Sequence, residues 1–180
     1  MVNGPRSQDA AELVRQLSQD GRAAQRVLAR MDDSARATAL HAAAVSLRGD
    51  EEAILAANAR DLIAGEAAGL SAAMLDRLRL DPARLADIAA AIDQVARLPS
   101  PLGQVIDQSR RANGLHFTRV RIPIGLIGII YESRPNVTAD AAALCVRAGN
   151  AVLLRGGSEA VHSNRAIHAA MVRGLAQGGV

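Results

Sequence analysis

Two short stretches hold the side chains best able to do chemistry. Arg155-Gly156-Gly157-Ser158-Glu159 follows an apolar run and precedes a helical pattern. Paired glycines let a backbone approach a ligand closely, and amides at a helix start attract an anion. Arg155 adds a fixed positive charge. The same residues also read as a tight turn with Ser158 as an ordinary N-cap, because the pattern is neither G-x-G-x-x-G nor a Walker loop. The second stretch, Tyr131-Glu132-Ser133-Arg134-Pro135-Asn136, packs a carboxylate, a hydroxyl, a guanidinium and an amide together. It sits at the carboxyl end of a predicted strand, where open α/β sheets place ligands. Glu132 and Arg134 are candidate substrate contacts, Arg134 suiting an acidic group or a phosphate. Ser133 or Asn136 could donate to a developing oxyanion. The competing reading is a capping loop in which Asn136 or Thr138 holds the next helix start.

Other reactive residue types lead nowhere. Cys145 lies within Ala141-Ala142-Ala143-Leu144-Cys145-Val146, without a histidine or acid nearby in sequence. A buried cysteine in such a place stays protonated and inert. His41, His116, His162 and His168 lack metal-ligand spacing, and the last two fall on different helix faces. No metal site is expected.

The elements that must position these residues follow from periodicity. Ser7 caps a first predicted helix through Leu13, Val14 and Leu17, with a break at Asp20-Gly21. A second begins near Ser34, carries Leu40, Ala44 and Leu47, and stops at Gly49. Asp50 then caps a third, with Glu51 and Glu52 in its first turn and Ile54, Leu55, Asn58 and Leu62 along it. Ser71 opens a short helix, and Asp81-Pro82 starts another whose buried face holds Leu85, Ile88, Ile92 and Val95. Pro99-Ser100-Pro101 ends it.

After Gly103 the period changes. Val105 and Ile106 start an extended run, Asn113-Gly114 reads as a two-residue hairpin turn, and Leu115 to Ile122 runs back. Ile124 to Tyr131 reads as a strand buried on both faces. A small-residue helix from about Thr138 to Ala148 stops at Gly149, and Ala151 to Arg155 is a second buried strand. A last helix carries Ile167, Ala170, Met171 and Leu175. Strand, helix, strand, helix predicts a parallel α/β sheet. Three regions result: helices over 1–103, a β-hairpin over 104–123 and a βαβα unit over 124–180. Two strands are few for so many helices, so the chain reads as truncated, with an unpaired sheet edge prone to self-association.

Composition narrows the function. The chain has 180 residues, 49% of them hydrophobic, and a formal charge of +3. That suits a soluble globular protein. All 21 positive residues are arginine. They are scattered among acids, and Phe117 and Tyr131 are the only aromatics, which argues against nucleic-acid binding. The opening residues lack the apolar core of a signal peptide, and the longest apolar run is too short for a membrane span. The expected location is the cytoplasm.

Two segments, Val120 through Asp140 and Ala148 through Glu159, resemble the γ-glutamyl phosphate reductase family. Ile54-Leu55-Ala56-Ala57-Asn58-Ala59-Arg60-Asp61 and Met74-Leu75-Asp76-Arg77-Leu78 are similar to it too. The resemblance implies an aldehyde-dehydrogenase-like fold with a Rossmann-like cofactor domain, a catalytic domain and an oligomerisation hairpin near 104–122. It implies NADPH-dependent reduction of L-glutamyl 5-phosphate to L-glutamate 5-semialdehyde, through a thioester on a cysteine placed beyond Val180. In that pattern Ser133 stands where aldehyde dehydrogenases carry the oxyanion-hole asparagine, with Asn136 as the substitute donor. Arg155 stands where those relatives hold the adenosine ribose with lysine, followed by Ser158 and Glu159. An arginine there suits the 2′-phosphate of NADPH. A homo-oligomer and a glutamate 5-kinase partner are implied as well. The other readings are a non-catalytic nucleotide-binding or assembly module, and a different aldehyde-dehydrogenase relative, against which the Glu132-Ser133-Arg134-Pro135-Asn136 loop speaks.

Overall fold

The computed structural model describes residues 7–132 and 134–180, so Ser133 lies outside the described residues. Five helices come first: α1 (Ser7–Leu28), α2 (Asp33–Gly49), α3 (Glu51–Ala67), α4 (Ala72–Leu78) and α5 (Pro82–Arg97). Their starts follow local chemistry. Ser71 accepts from the Met74 amide and Asp81 from the Arg84 amide, with Pro82 in the first turn of α5. Each side chain satisfies an amide that the helix itself leaves unpaired.

Two expectations about these helices fail. α1 runs unbroken through Asp20-Gly21. Gly21 has a spatial role there, since an added Cβ would lie 2.6 Å from Leu126 Cδ1. The missing side chain lets α1 settle on the sheet. Asp50 does not cap α3 with its side chain. A single residue separates α2 from α3, and its carboxylate turns away to pair with Arg173.

The hairpin joins β1 (Val105–Arg110) to β2 (His116–Val120) in antiparallel register, with a bulge between Val105 and Asp107. Its turn is longer than the two residues expected. Gly114 N–H donates to the Arg111 carbonyl and Arg111 N–H to the Leu115 carbonyl. Gly114, at φ +88°, therefore follows the turn as a left-handed bulge residue and is not central to it. Both hairpin strands are exposed throughout.

β3 (Leu126–Ile130) and β4 (Ala151–Arg155) pair in parallel, connected by α6 (Asn136–Arg147). A 3₁₀ turn, Ser158–Ala160, leads into α7 (Val161–Gln177). This is the predicted βαβα order. β3 is not buried on both faces, however: Ile130 is 74% exposed. α1 covers one side of the two strands, and alternate β3 residues face outward.

α2 lies at the centre of the core, packed against α5, α6 and α7, with Leu40, Leu47, Ile54, Leu85, Ile92 and Ile167 fully buried. Small residues permit this. A Cβ on Gly174 would lie 2.6 Å from the Ala42 carbonyl oxygen and 2.8 Å from Ala43 N. α7 thus crosses α2 backbone against backbone. Arg147, buried at the end of α6, donates to the Asp33 carboxylate and the Leu98 carbonyl, tying α6 to α2 and α5. No described helix is long and apolar enough to cross a membrane.

Candidate functional site

The carboxyl ends of β3 and β4 lie side by side, because Ile130 pairs with Arg155 and Tyr131 N–H donates to the Arg155 carbonyl. The chain then turns at Gly156-Gly157 into the 3₁₀ turn and α7. Glycine is required at the first position. A Cβ on Gly156 would strike the Asn164 amide and lie 3.1 Å from the Tyr131 hydroxyl. Beneath the turn those groups form a chain: the Tyr131 hydroxyl sits 2.6 Å from Thr138 Oγ1, which donates to Asn164 Oδ1 at 3.0 Å. This fixes α6 and α7 under the turn.

Asp61 holds the start of α7 from the other side. Its carboxylate, 2% exposed, accepts from the His162 and Ser163 amides and from Ser163 Oγ. A carboxylate on the first turn of a helix is favoured by the helix dipole and satisfies unpaired amides. One turn back along α3, Asn58 donates to Ser163 Oγ and the Leu78 carbonyl and accepts from the Leu80 amide. Two buried polar side chains on α3 therefore position both the α7 start and the α4–α5 connection.

Two clefts flank the turn. The first, about 680 Å³, is lined by Arg155, Gly157, Ser158 and Glu159, and by Glu132 and Tyr131. Its opposite wall comes from α3 and α4, through Ala64, Ala68, Leu70 and Met74. The second, about 410 Å³, shares Arg155 and Gly157 and adds Gly156, Arg165 and His168. No carboxylate lines this second cleft, and its ionisable lining is basic apart from Tyr131. Arg155 and Arg165 carry no ion pair among the described residues, so the second cleft presents positive charge, whereas in the first Arg155 stands among the carboxylates of Asp61, Glu132 and Glu159.

The substrate-loop candidates separate. Glu132 reaches the first cleft, whereas Arg134 is exposed outside both. Asn136 is the first residue of α6, and its side chain donates to Asp140 at 2.9 Å, facing a third cleft with α4 and α5. Burial raises the Asp140 carboxyl pKa, and the Asn136 hydrogen bond opposes that only in part. Cys145 is buried, and burial pushes its thiol up. The sequence reading named Tyr131, Thr138 and His168 without giving them this role, and it singled out neither Asp61, Asn164 nor Arg165 as site residues. Only Asn58 and Asp61 left a signal, as polar residues one turn apart on an otherwise apolar stripe.

No protein-family model matches the chain. A γ-glutamyl phosphate reductase from Novosphingobium aromaticivorans is 64% identical over 171 residues, covering 95% of this chain and 40% of that protein. The chain is similar to γ-glutamyl phosphate reductases over part of their length. A crystal structure of γ-glutamyl phosphate reductase from Thermotoga maritima superposes with a TM-score of 0.86 at 39% identity, over 90% of this chain and 39% of that one. An enzyme of the same name from Saccharomyces cerevisiae gives 0.84 at 31%, over 90% and 41%. The chain spans about two fifths of the length of the curated γ-glutamyl phosphate reductases it matches. A putative aldehyde dehydrogenase from Bacillus subtilis, 17% identical over 94% of this chain and 34% of that one, has a TM-score of 0.69, so the γ-glutamyl phosphate reductase fold is shared with aldehyde dehydrogenases.

Proposed function

We propose that this chain forms the nucleotide-binding part of an NADPH-dependent reductase acting on L-glutamyl 5-phosphate and yielding L-glutamate 5-semialdehyde and phosphate, in proline synthesis. The supporting observation is the glycine turn between two clefts, with Arg155 and Arg165 beside it, neither in an ion pair among the described residues. The residues fit a phosphorylated dinucleotide. Gly156 and Gly157 admit a close backbone approach, and the small and apolar wall of α3 and α4 accepts a flat base. Arg155 and Arg165 offer positive charge and His168 a ring N–H to a 2′-phosphate, while Ser158 and Glu159 can meet a ribose. NADPH supplies the hydride of the reduction.

The chain's residues bind and orient in this scheme. Ser133 and Asn136 act as oxyanion donors and Glu132 and Arg134 as substrate contacts, a reading supported by their position in the sequence between β3 and the start of α6. Cys145 supplies no nucleophile, since its thiol is buried and shifted away from the reactive thiolate. The exposed hairpin suits a homo-oligomer, and the exposed strand edges suit self-association. A cytoplasmic setting and a glutamate 5-kinase partner complete the proposal.

Calorimetry with NADPH and NADH tests it. Micromolar NADPH binding is expected, weaker for NADH, and weakened about tenfold, or about 1.4 kcal/mol, by Arg155→Ala. Equal affinity for the two nucleotides would remove the role given to the arginines.

A further inference from the structure

The cleft that Asn136 faces has a mixed lining that the cofactor reading does not use. It measures about 230 Å³ and lies between the end of α4, the start of α5 and the start of α6. Its floor is apolar, formed by Leu80 and Ile88, and its rim carries Arg77, Arg79, Arg84 and Asp87. Arg84 is committed elsewhere. It pairs with the Asp76 carboxylate and donates to the Asp76 and Arg79 carbonyls. The side chains of Arg77, Arg79 and Asp87 form no hydrogen bond or ion pair among the described residues. A single small cleft thus presents free cations, a free carboxylate, an amide and an apolar floor.

Uncommitted charge of both signs does not suit a simple anion, because Asp87 would repel it. It suits a zwitterion. We propose that this cleft seats the α-amino-acid head of the substrate, its ammonium on Asp87 and its carboxylate on Arg77 and Arg79. Leu80 and Ile88 take the methylene stem. The planar guanidinium matches a carboxylate bidentately, whereas a compact ammonium needs only one carboxylate oxygen. The size matches an amino acid and excludes a dinucleotide. Asn136, at the start of α6, then lies along the stem between the head and the reacting end. The inference rests on the substrate reading above and is independent of the cofactor clefts, which share none of these residues.

The test is a titration of the chain with L-glutamate, followed by backbone and side-chain amide resonances, with glutarate as the probe lacking an ammonium group. Saturable shifts at Leu80, Ile88 and Asn136 are expected in the millimolar range. Glutarate should bind at least about tenfold more weakly. Asp87→Asn should weaken glutamate about tenfold while leaving glutarate unchanged, and Arg77→Ala or Arg79→Ala should weaken both. These exposed positions leave the core untouched, and an unchanged melting curve verifies the fold. Absence of saturable shifts, equal binding of the two probes, or an Asp87→Asn variant that binds glutamate normally would overturn the proposal. NADPH affinity measured on the same variants should not move. Its absence in the parent chain would overturn the cofactor reading and leave this one standing.

Discussion

Replacing Gly174 with alanine tests the claim that α7 and α2 touch through their backbones. The new Cβ would lie 2.6 Å from the Ala42 carbonyl oxygen, where ordinary contact begins at 3.4 Å. The atoms it meets, Ala43 Cα nearest of all, belong to a helix backbone and cannot rotate away, so the helices must part by about 1 Å. A radial gap of that size forfeits roughly a quarter to a half of each dispersion well. The contacts at risk belong to the buried cluster that includes Leu40, Leu47, Ile167 and Met171. Overpacking of this kind costs about 1–3 kcal/mol, and the rigid neighbour puts Gly174→Ala near the upper end. Alanine's better helix propensity returns about 1 kcal/mol. The net expectation is a loss of about 2 kcal/mol, read as a lower urea midpoint by circular dichroism, or a fall in Tm of roughly 4–8 °C for a chain of this size. Gly49→Ala is the control, because nothing lies within 4 Å of its Cβ position and it ends α2. It should gain up to about 1 kcal/mol. A Gly174→Ala chain as stable as the Gly49→Ala chain would refute the close crossing.

Three further outcomes are expected. Asp61→Ala strips the α7 start of its buried acceptor and should cost about 3 kcal/mol, measured by urea unfolding, with NADPH affinity falling alongside. The Asp33 carboxyl is held below its ordinary value, first by the Arg147 hydrogen bond, against the cost of burial. That pairing stabilises the fold above the unfolded aspartate pKa of about 3.9 and is lost as pH falls through the lowered folded value, so Arg147→Met should flatten the acid limb of a stability–pH curve. Asp140 has the opposite sign. Burial raises its pKa, so its charge is a cost above the folded pKa that disappears on acidification. Asp140→Asn should keep the Asn136 contact and raise the unfolding midpoint at neutral pH relative to acid pH.

Local rules made much of this fold legible. Ser71 and Asp81-Pro82 announce helix starts within four residues, and the structure places caps there. The Ala151 to Arg155 strand and the glycine turn after it were equally plain. The misreadings share a cause. Gly21 looks like a helix breaker because its partner, Leu126, lies far along the chain. Ile130 looks like core because an apolar run does not reveal which faces gain neighbours. The Asn113-Gly114 pair fixes a turn but not its register, which Arg111 and Leu115 set together. At the site, Arg155 and the two glycines stand adjacent in sequence and could be read directly. Arg165, His168 and Asp61 come to the same place from two helices, so only packing reveals them.

The Asp61 cap has a consequence for how the chain is made. Its partner Ser163 follows 102 residues later. At a synthesis rate of about 5–20 residues per second, the carboxylate leaves the ribosome roughly 5–20 s before the helix it caps. During that interval α3 can pair with α4 and α5 through Asn58 and Leu80, but Asp61 must remain in water. Docking of α7 therefore removes a solvated charge from the surface of α3. The glycine turn before α7 gains this support only when α7 docks, so slow elongation downstream of α5 would lengthen the interval in which Asp61 stands without its partner.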